Sequence, residues 1–253
     1  MDRNIHIALN SMRNLSTEMR INAQNMANLN VPGFRADLNV TREASFLTSL
    51  EQHQSRVYSQ QSQEALFSDD TGSLQSTGSE MDAAIRGKGY FFVTPALGGD
   101  TALSRRGDLG FDDGGFLVDG AGNRLLDTEL EPIKMPPTRR IVVEETGQIQ
   151  MELIGTPEGT LVAGPIIATS MADGVALIKA PDGHIRPSNN TDLPEPDQRA
   201  RIAQGFLESS NVNTISALVR NIESQRHFEM SVKFISLAKE IDEGGSRIMR
   251  FPQ

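Results

Sequence analysis

Acidic residues and glycines cluster at two places where they could bind a ligand. Asp112-Asp113 and Asp119 are candidate carboxylate ligands, but their spacing does not match a calcium-binding loop, and Asp-Gly is a common hairpin turn. Gly87-Lys88-Gly89 resembles part of a nucleotide-binding loop, yet the third glycine is absent and an aromatic run, not a helix, follows. We therefore predict tight turns at both places.

Residues that could carry nucleophilic or metal chemistry are few and far apart. Cysteine is absent, which removes disulfides and thiolate chemistry. Pairing of two histidines along one helix face is excluded, because none lies within four residues of another: His6, His53, His184 and His227. The acidic pair Glu144-Glu145 has no converging partner set. We assign no catalytic, cofactor-binding or metal-ligating residue and expect a protein that is not an enzyme.

Net charge limits the partners of the chain. Its 253 residues carry a formal net charge of −9, with a net charge of +2 on residues 1–35 and of zero on residues 207–253. The middle therefore carries −11, which argues against nucleic acid and against an anionic membrane surface. No stretch approaches the ~20 apolar residues of a membrane-spanning helix. The N-terminus lacks the apolar core of a cleaved signal peptide.

A helix is predicted over residues 3–30, because apolar residues recur every seven positions along it. Ile5, Met12, Met19 and Met26 occupy one position of the heptad. The helix must stop at Pro32, and Pro32-Gly33 suits the centre of a type II turn.

The middle of the chain alternates short β-like runs with turn residues, which predicts an all-β domain built from hairpins. The predicted strands are residues 89–93, 115–118, 141–143, 159–162 and 175–178.

A second long helix is predicted over residues 212–249, which contain no proline. Its apolar residues step by threes and fours, and Asn211 or Asn213 suits its N-cap. Two apolar seams at the ends of one chain would both be buried by packing on each other. The expected fold class is α+β: paired long N- and C-terminal helices forming a coiled-coil layer, with an inserted all-β hairpin-rich domain.

Domain boundaries follow from these elements. Residues 1–35 and 208–253 form the expected terminal helical domain, residues 77–200 the β domain, and residues 36–76 and 201–207 the linkers.

Three blocks of residues follow one another in order along the chain. The first block is residues 25–35, Asn-Met-Ala-Asn-Leu-Asn-Val-Pro-Gly-Phe-Arg. The second is residues 77–93, continuing through 105–108 and 115–118. The third is residues 204–213, followed by Arg226-His227-Phe228-Glu229. In this order the blocks resemble the bacterial flagellar rod and hook protein family, and most of all its proximal-rod members, with Val31 where relatives usually have threonine.

The resemblance implies a structural subunit that polymerises helically through its terminal helices, forming a drive shaft across the periplasm and the wall of an export channel. Implied partners are copies of itself, other proximal and distal rod subunits, and the flagellar type III export apparatus, which takes subunits without a cleaved signal. The turn motif is Pro32, Gly33 and Phe34. The expected assembly residues are Ile5, Met12, Leu15, Met19, Met26, Leu29, Ile215, Leu218, Ile222, Phe228, Val232 and Ile235.

Two alternatives stay open. One is a distal-rod or hook subunit of the same family. The other is a β-domain enzyme or binding module that dimerises through helical ends. Deleting residues 1–30 or 212–253 distinguishes a polymer subunit from a dimeric enzyme. A polymer subunit would lose assembly, whereas a dimeric enzyme would keep activity in each domain.

Overall fold

The computed structural model of the protein describes residues 2–38, 41–42, 60–61, 66–180, 182–188 and 191–249. These residues divide into two compact units. The helical unit takes in the described parts of Met1–Ala27, Asp37–Gln63 and Asn213–Gln253, and the β unit those of Asn28–Ala36 and Glu64–Val212. Much of the predicted linker at 36–76 lies outside the described residues.

The helical unit contains two helices and three short strands: α1 Asp2–Ala27, β1 Asp37–Leu38, β2 Thr41–Arg42, β3 Gln60–Gln61 and α2 Thr214–Met249. Strands β2 and β3 pair antiparallel. Helix α2 begins where predicted, because the Asn213 side chain accepts a hydrogen bond from the Ser216 N–H at 2.9 Å and caps the first turn. Neither helix has an apolar stretch long enough to span a bilayer within the described residues.

The predicted fold class, with paired terminal helices as a coiled-coil layer, is wrong. The described chain has only two helices against nineteen strands, and the apolar seam of α2 is not buried. Ile215 is 76% exposed and Ile222 is 43% exposed, whereas Ala217 is buried. The physical reason is that the spacing of apolar residues shows which face of a helix is apolar, but not which molecule covers that face.

The β unit contains sixteen strands in the described residues. They are β4 Leu66–Phe67, β5 Leu74–Ser76, β6 Ala83–Arg86, β7 Tyr90–Thr94, β8 Ala102–Ser104, β9 Leu109–Phe111, β10 Leu117–Asp119, β11 Arg124–Leu125, β12 Thr138–Val143, β13 Gln148–Leu153, β14 Val162–Ile166, β15 Thr169–Ser170, β16 Leu177–Lys179, β17 Ile185–Pro187, β18 Arg201–Gln204 and β19 Phe206–Glu208. The predicted strands at 89–93, 115–118, 141–143, 159–162 and 175–178 correspond to β7, β10, β12, β14 and β16, with ends shifted by up to four residues.

The largest sheet is antiparallel and runs in the order β16-β17-β8-β7-β11-β10-β9, with β15 also pairing with β7. Strand β7 lies inside this sheet and is buried on both faces. Phe91 and Val93 pack into one apolar cluster, and Tyr90 and Phe92 into a second. Because side chains alternate along a strand, this unbroken apolar run fills two cores at once.

Smaller sheets complete the β unit. Strands β12, β13 and β14 form an antiparallel meander, β18 pairs with β6, and β19 pairs with β5. These last two pairings join the C-terminal part of the unit to its N-terminal part.

Three successive hairpin turns repeat one hydrogen-bond pattern. Asp112, Asp119 and Asp127 each accept hydrogen bonds through Oδ1 from the backbone N–H groups two and four residues later. These aspartates are therefore turn residues, and the predicted turn at Asp112 and Asp119 is confirmed. No group of three His, Asp or Glu side chains in the described ranges is placed to hold a metal ion.

Candidate assembly site

The predicted turn motif forms a type II turn held within the β unit. The Phe34 N–H donates to the Val31 carbonyl at 3.3 Å, and Gly33 has a φ of +66°, as the third residue of this turn requires. The Gly33 N–H donates to the Glu208 carbonyl at 2.7 Å. A Cβ atom at Gly33 would lie 2.2 Å from the carbonyl oxygen of Arg105, so only glycine fits.

Arg35 follows the turn and enters the interior of the β unit. Its side chain is 2% exposed, and its Nη2 atom lies 3.2 Å from Glu208 Oε1. Its Nη1 atom donates to the carbonyl of Asp70. Lys179 Nζ donates to the Arg35 carbonyl at 3.0 Å and lies 3.9 Å from the centre of the Phe34 ring. Arg35, which follows the type II turn directly, is thus a buried anchor of this segment.

Glu208 at the end of β19 is the acid shared by two buried arginines. Arg105 Nε donates to Glu208 Oε2 at 2.7 Å, and both side chains are 1% exposed. The second carboxylate oxygen faces Arg35 and also accepts the Gly72 N–H at 2.8 Å. One carboxylate therefore joins three distant parts of the chain.

Arg35, Arg105 and Glu208 together carry one excess positive charge, and backbone carbonyls stabilise it. Arg105 donates to the carbonyls of Gly89 at 2.6 Å, Gly87 at 2.7 Å and Ile85 at 3.3 Å. Burial lowers the pKa of Arg105, and the adjacent Glu208 carboxylate opposes that shift. The Gly87-Lys88-Gly89 turn thus presents its carbonyls to an arginine, not its N–H groups to a phosphate.

Asn211 binds the segment that follows Arg35. Its Oδ1 accepts the Ala36 N–H at 2.7 Å, and its Nδ2 donates to the carbonyls of Ser68 at 3.1 Å and Asp70 at 2.8 Å. Asn213, not Asn211, caps α2, so Asn211 serves as a bridge between backbone segments.

The expected assembly residues of the N-terminal part are partly covered in the single chain. The half-buried residues are Met12, Leu15, Met19, Met26 and Leu29. The side chain of Ile5 lies outside the described residues. Within the helical unit, Asn22 Nδ2 donates to the Ala217 carbonyl at 2.9 Å, so α1 touches the first turn of α2.

The expected assembly residues of α2 are mostly open to solvent. Ile235 is half-buried, and the exposed members are Ile215, Leu218, Ile222, Phe228 and Val232. Val219 is also exposed, and with Ile215, Leu218 and Ile222 it gives an apolar stripe at helical spacing. We name these four residues the α2 stripe. Sequence periodicity found three of them and missed Val219.

The buried cluster of Arg35, Arg105 and Glu208 was also missed from the sequence. These residues are far apart in the chain, and nothing in a single sequence pairs one charge with another at that distance. The only local signal is that Arg35 follows a turn whose glycine conformation fixes its direction.

Two family models match parts of the chain. Residues 203–248 match the flagellar basal body rod FlgEFG protein C-terminal family, and residues 84–151 match the flagellar hook protein FlgE/F/G D1 domain. The first match contains Glu208, Asn211 and most of α2, and the second contains Arg105.

Curated relatives match over nearly the whole chain. The chain is 30% identical to the flagellar basal-body rod protein FlgF of Caulobacter vibrioides over 243 residues, 95% of each chain. It is 28% identical to FlgF of Escherichia coli over 98% of this chain and 97% of the relative. It is 25% identical to the flagellar basal-body rod protein FlgG of Bacillus subtilis over 95% of this chain and 97% of the relative.

Proposed function

Because the chain belongs to the flagellar basal-body rod protein family and is most like its FlgF members, we propose that it is a non-enzymatic subunit that polymerises with other rod proteins. Its place is the flagellar basal body and its role there is structural. The proposal extends to a helical polymer that crosses the periplasm as a drive shaft around an export channel, supplied through the flagellar export apparatus.

One observation carries the assembly part of this proposal, namely the α2 stripe. Its four apolar side chains are 43–76% exposed. Contiguous exposed apolar surface in a soluble chain marks a contact with another protein. Neighbouring rod subunits and copies of this chain are the partners that cover the α2 stripe. The same partners cover the half-buried residues Met12, Leu15 and Met19 of α1.

Relatives named flagellar basal-body rod protein FlgG keep open the alternative of another subunit of the rod. The FlgG relative of Bacillus subtilis matches almost the whole chain at 25% identity, against 30% for the FlgF relative of Caulobacter vibrioides. The FlgF-like, proximal position is therefore the one we propose.

The test places an acid on the stripe and compares it with an acid on another face of α2. Ile222→Asp should abolish motility in cells that lack the wild-type gene, and the subunit should be missing from purified basal bodies. Arg220→Asp introduces the same side chain two residues away, about 200° around the helix, and should leave motility near normal. Normal motility with Ile222→Asp, or equal loss with both variants, would contradict assembly through the stripe.

A further inference from the structure

Residues 33–36 contact the rest of the β unit in the manner of a bound peptide. They belong to the β unit but are separated in sequence from its main part, which begins at Glu64. The Gly33 and Ala36 N–H groups donate to Glu208 O and Asn211 Oδ1, at 2.7 Å each. The carbonyls of Phe34 and Ala36 accept from the Asn211 N–H at 3.2 Å and the Ser68 N–H at 2.8 Å. Pairing of successive backbone groups is how proteins bind extended peptides.

Side chains add specificity at two positions of this segment. Arg35 is the charged anchor, since its guanidinium meets the buried Glu208 carboxylate. Phe34 lies under the Lys179 ammonium group at 3.9 Å. At Gly33, the close approach of the Arg105 carbonyl leaves no room for a side chain. The site therefore reads a glycine, an aromatic residue and an arginine in that order.

We propose that residues 31–36 are an exchangeable internal ligand, and that the site formed by Ser68, Asp70, Arg105, Lys179, Glu208 and Asn211 also binds the same segment of a second copy of this chain. The segment is identical in every copy, so all its contacts can form between copies without any new surface. Exchange of an identical element between protomers is a low-cost route to association.

The length of the connection permits this exchange. The segment is joined to the main part of the β unit through Asp37–Gln63. Strands β2 and β3 pair antiparallel within this link, so exchange over a long distance requires that pair to open. Once it is open, a chain of that length spans at most about 90 Å when fully extended, and the covalent link does not force the segment to occupy its own unit. Intramolecular binding dominates in dilute solution, because the tether holds the ligand at a high effective concentration.

The experiment vacates the site in the full-length chain and offers the ligand as a labelled peptide of residues 28–38. Gly33→Val expels the internal segment because its side chain meets the Arg105 carbonyl. The peptide should bind this variant and raise its fluorescence anisotropy, with at least tenfold weaker binding to the wild-type chain, whose site is occupied. A matched peptide carrying Arg35→Ala should bind at least tenfold more weakly than the wild-type peptide.

Equal binding of the two peptides, or no binding to a folded Gly33→Val chain, would overturn the proposal. If that variant does not fold, the wild-type chain is cut at protease sites inserted before Asn28 and between residues 43 and 59. The labelled peptide should then replace the released segment while the circular dichroism of the β-strands is unchanged. A segment that leaves only on global unfolding would equally overturn it. These readouts are made in solution and do not depend on rod assembly, so they fail independently of the proposed function.

Discussion

Glu208 Oε2 lies 2.7 Å from Arg105 Nε, although the two residues are 103 positions apart in the chain. Both side chains are almost completely excluded from solvent. A buried carboxylate that neutralises two arginines is a point where a single change has a large effect on stability.

Glu208→Gln should lower the free energy of unfolding of the β unit by about 3–5 kcal/mol, because two buried guanidinium groups lose their counter-charge. Urea unfolding followed by circular dichroism measures this change. Glu158→Gln is the control, since this 90% exposed side chain only pairs with the half-exposed Arg139 and should cost at most about 1 kcal/mol. Equal effects of the two changes would show that the buried cluster is not stabilising.

Gly33→Ala should destabilise the β unit more than Gly78→Ala. Both glycines have positive φ, at +66° and +70°, so both variants carry the left-handed cost of about 1–2 kcal/mol. Only Gly33 faces another backbone, whereas a Cβ at Gly78 meets nothing within 4 Å. The steric clash should add about 1–3 kcal/mol at Gly33. Thermal melts of the two variants would contradict this if they coincide.

Asp119→Ala should cost about 1–3 kcal/mol, because three donors lose their acceptor inside the protein. They are the N–H groups of Ala121 and Asn123 and the Asn123 side-chain amide. Asp127→Ala removes the same turn pattern from a more exposed position and should cost less. Chemical denaturation of both variants provides the comparison, and a larger loss at Asp127 would refute the role of burial.

The Asp112 turn should weaken in acid. The backbone N–H of Phe116 donates to the Asp112 carboxylate and lowers its pKa, with a further contribution from Arg124. Since the folded pKa is below the ordinary value near 3.9, the stabilisation is complete above about pH 4 and is lost as pH falls through the lowered value. An NMR titration should show the Phe116 amide and the Asp112 carboxyl changing together at that lowered pH. A shared midpoint at or above 3.9 would disprove the interaction.

Ile222→Ala should cost the isolated chain at most about 1 kcal/mol, because this residue is already 43% exposed before assembly. Incorporation of the variant into basal bodies should fall, because the variant lacks the methyl groups that the wild-type side chain buries on contact with a neighbouring subunit. Melting of the purified variant and its recovery in isolated basal bodies are the two measurements. A large drop in melting temperature would mean that Ile222 is packed within its own chain.

Local features of the fold were predictable from local chemistry. Pro32-Gly33 specified a type II turn, Asp112 and Asp119 specified hairpin turns, and Asn213 capped its helix as one of two expected residues. Each of these depends on bonds between residues at most four positions apart, so the sequence contains the whole interaction.

Long-range features were not predictable in the same way. The spacing of apolar residues by threes and fours in α2 identified an apolar face, but the coiled-coil layer inferred from it was wrong because Ile215 and Ile222 are exposed in the chain. The joining of Glu208 to Arg35 and Arg105 depends on the tertiary fold bringing three segments together. Charged residues are usually solvated, so no property of these three residues alone marked them as buried.

The three repeated aspartate turns have a kinetic consequence. Their contacts close loops of only a few residues, and hairpins of this kind form in about 1–10 µs. The Glu208 contacts close loops of 103 residues or more. Closing such a loop costs chain entropy before its contacts can stabilise it. We therefore expect residues 109–133 to be structured in the folding transition state and the arginine cluster to form after it. Mutations at Asp119 should then slow folding, whereas mutations at Glu208 should chiefly accelerate unfolding.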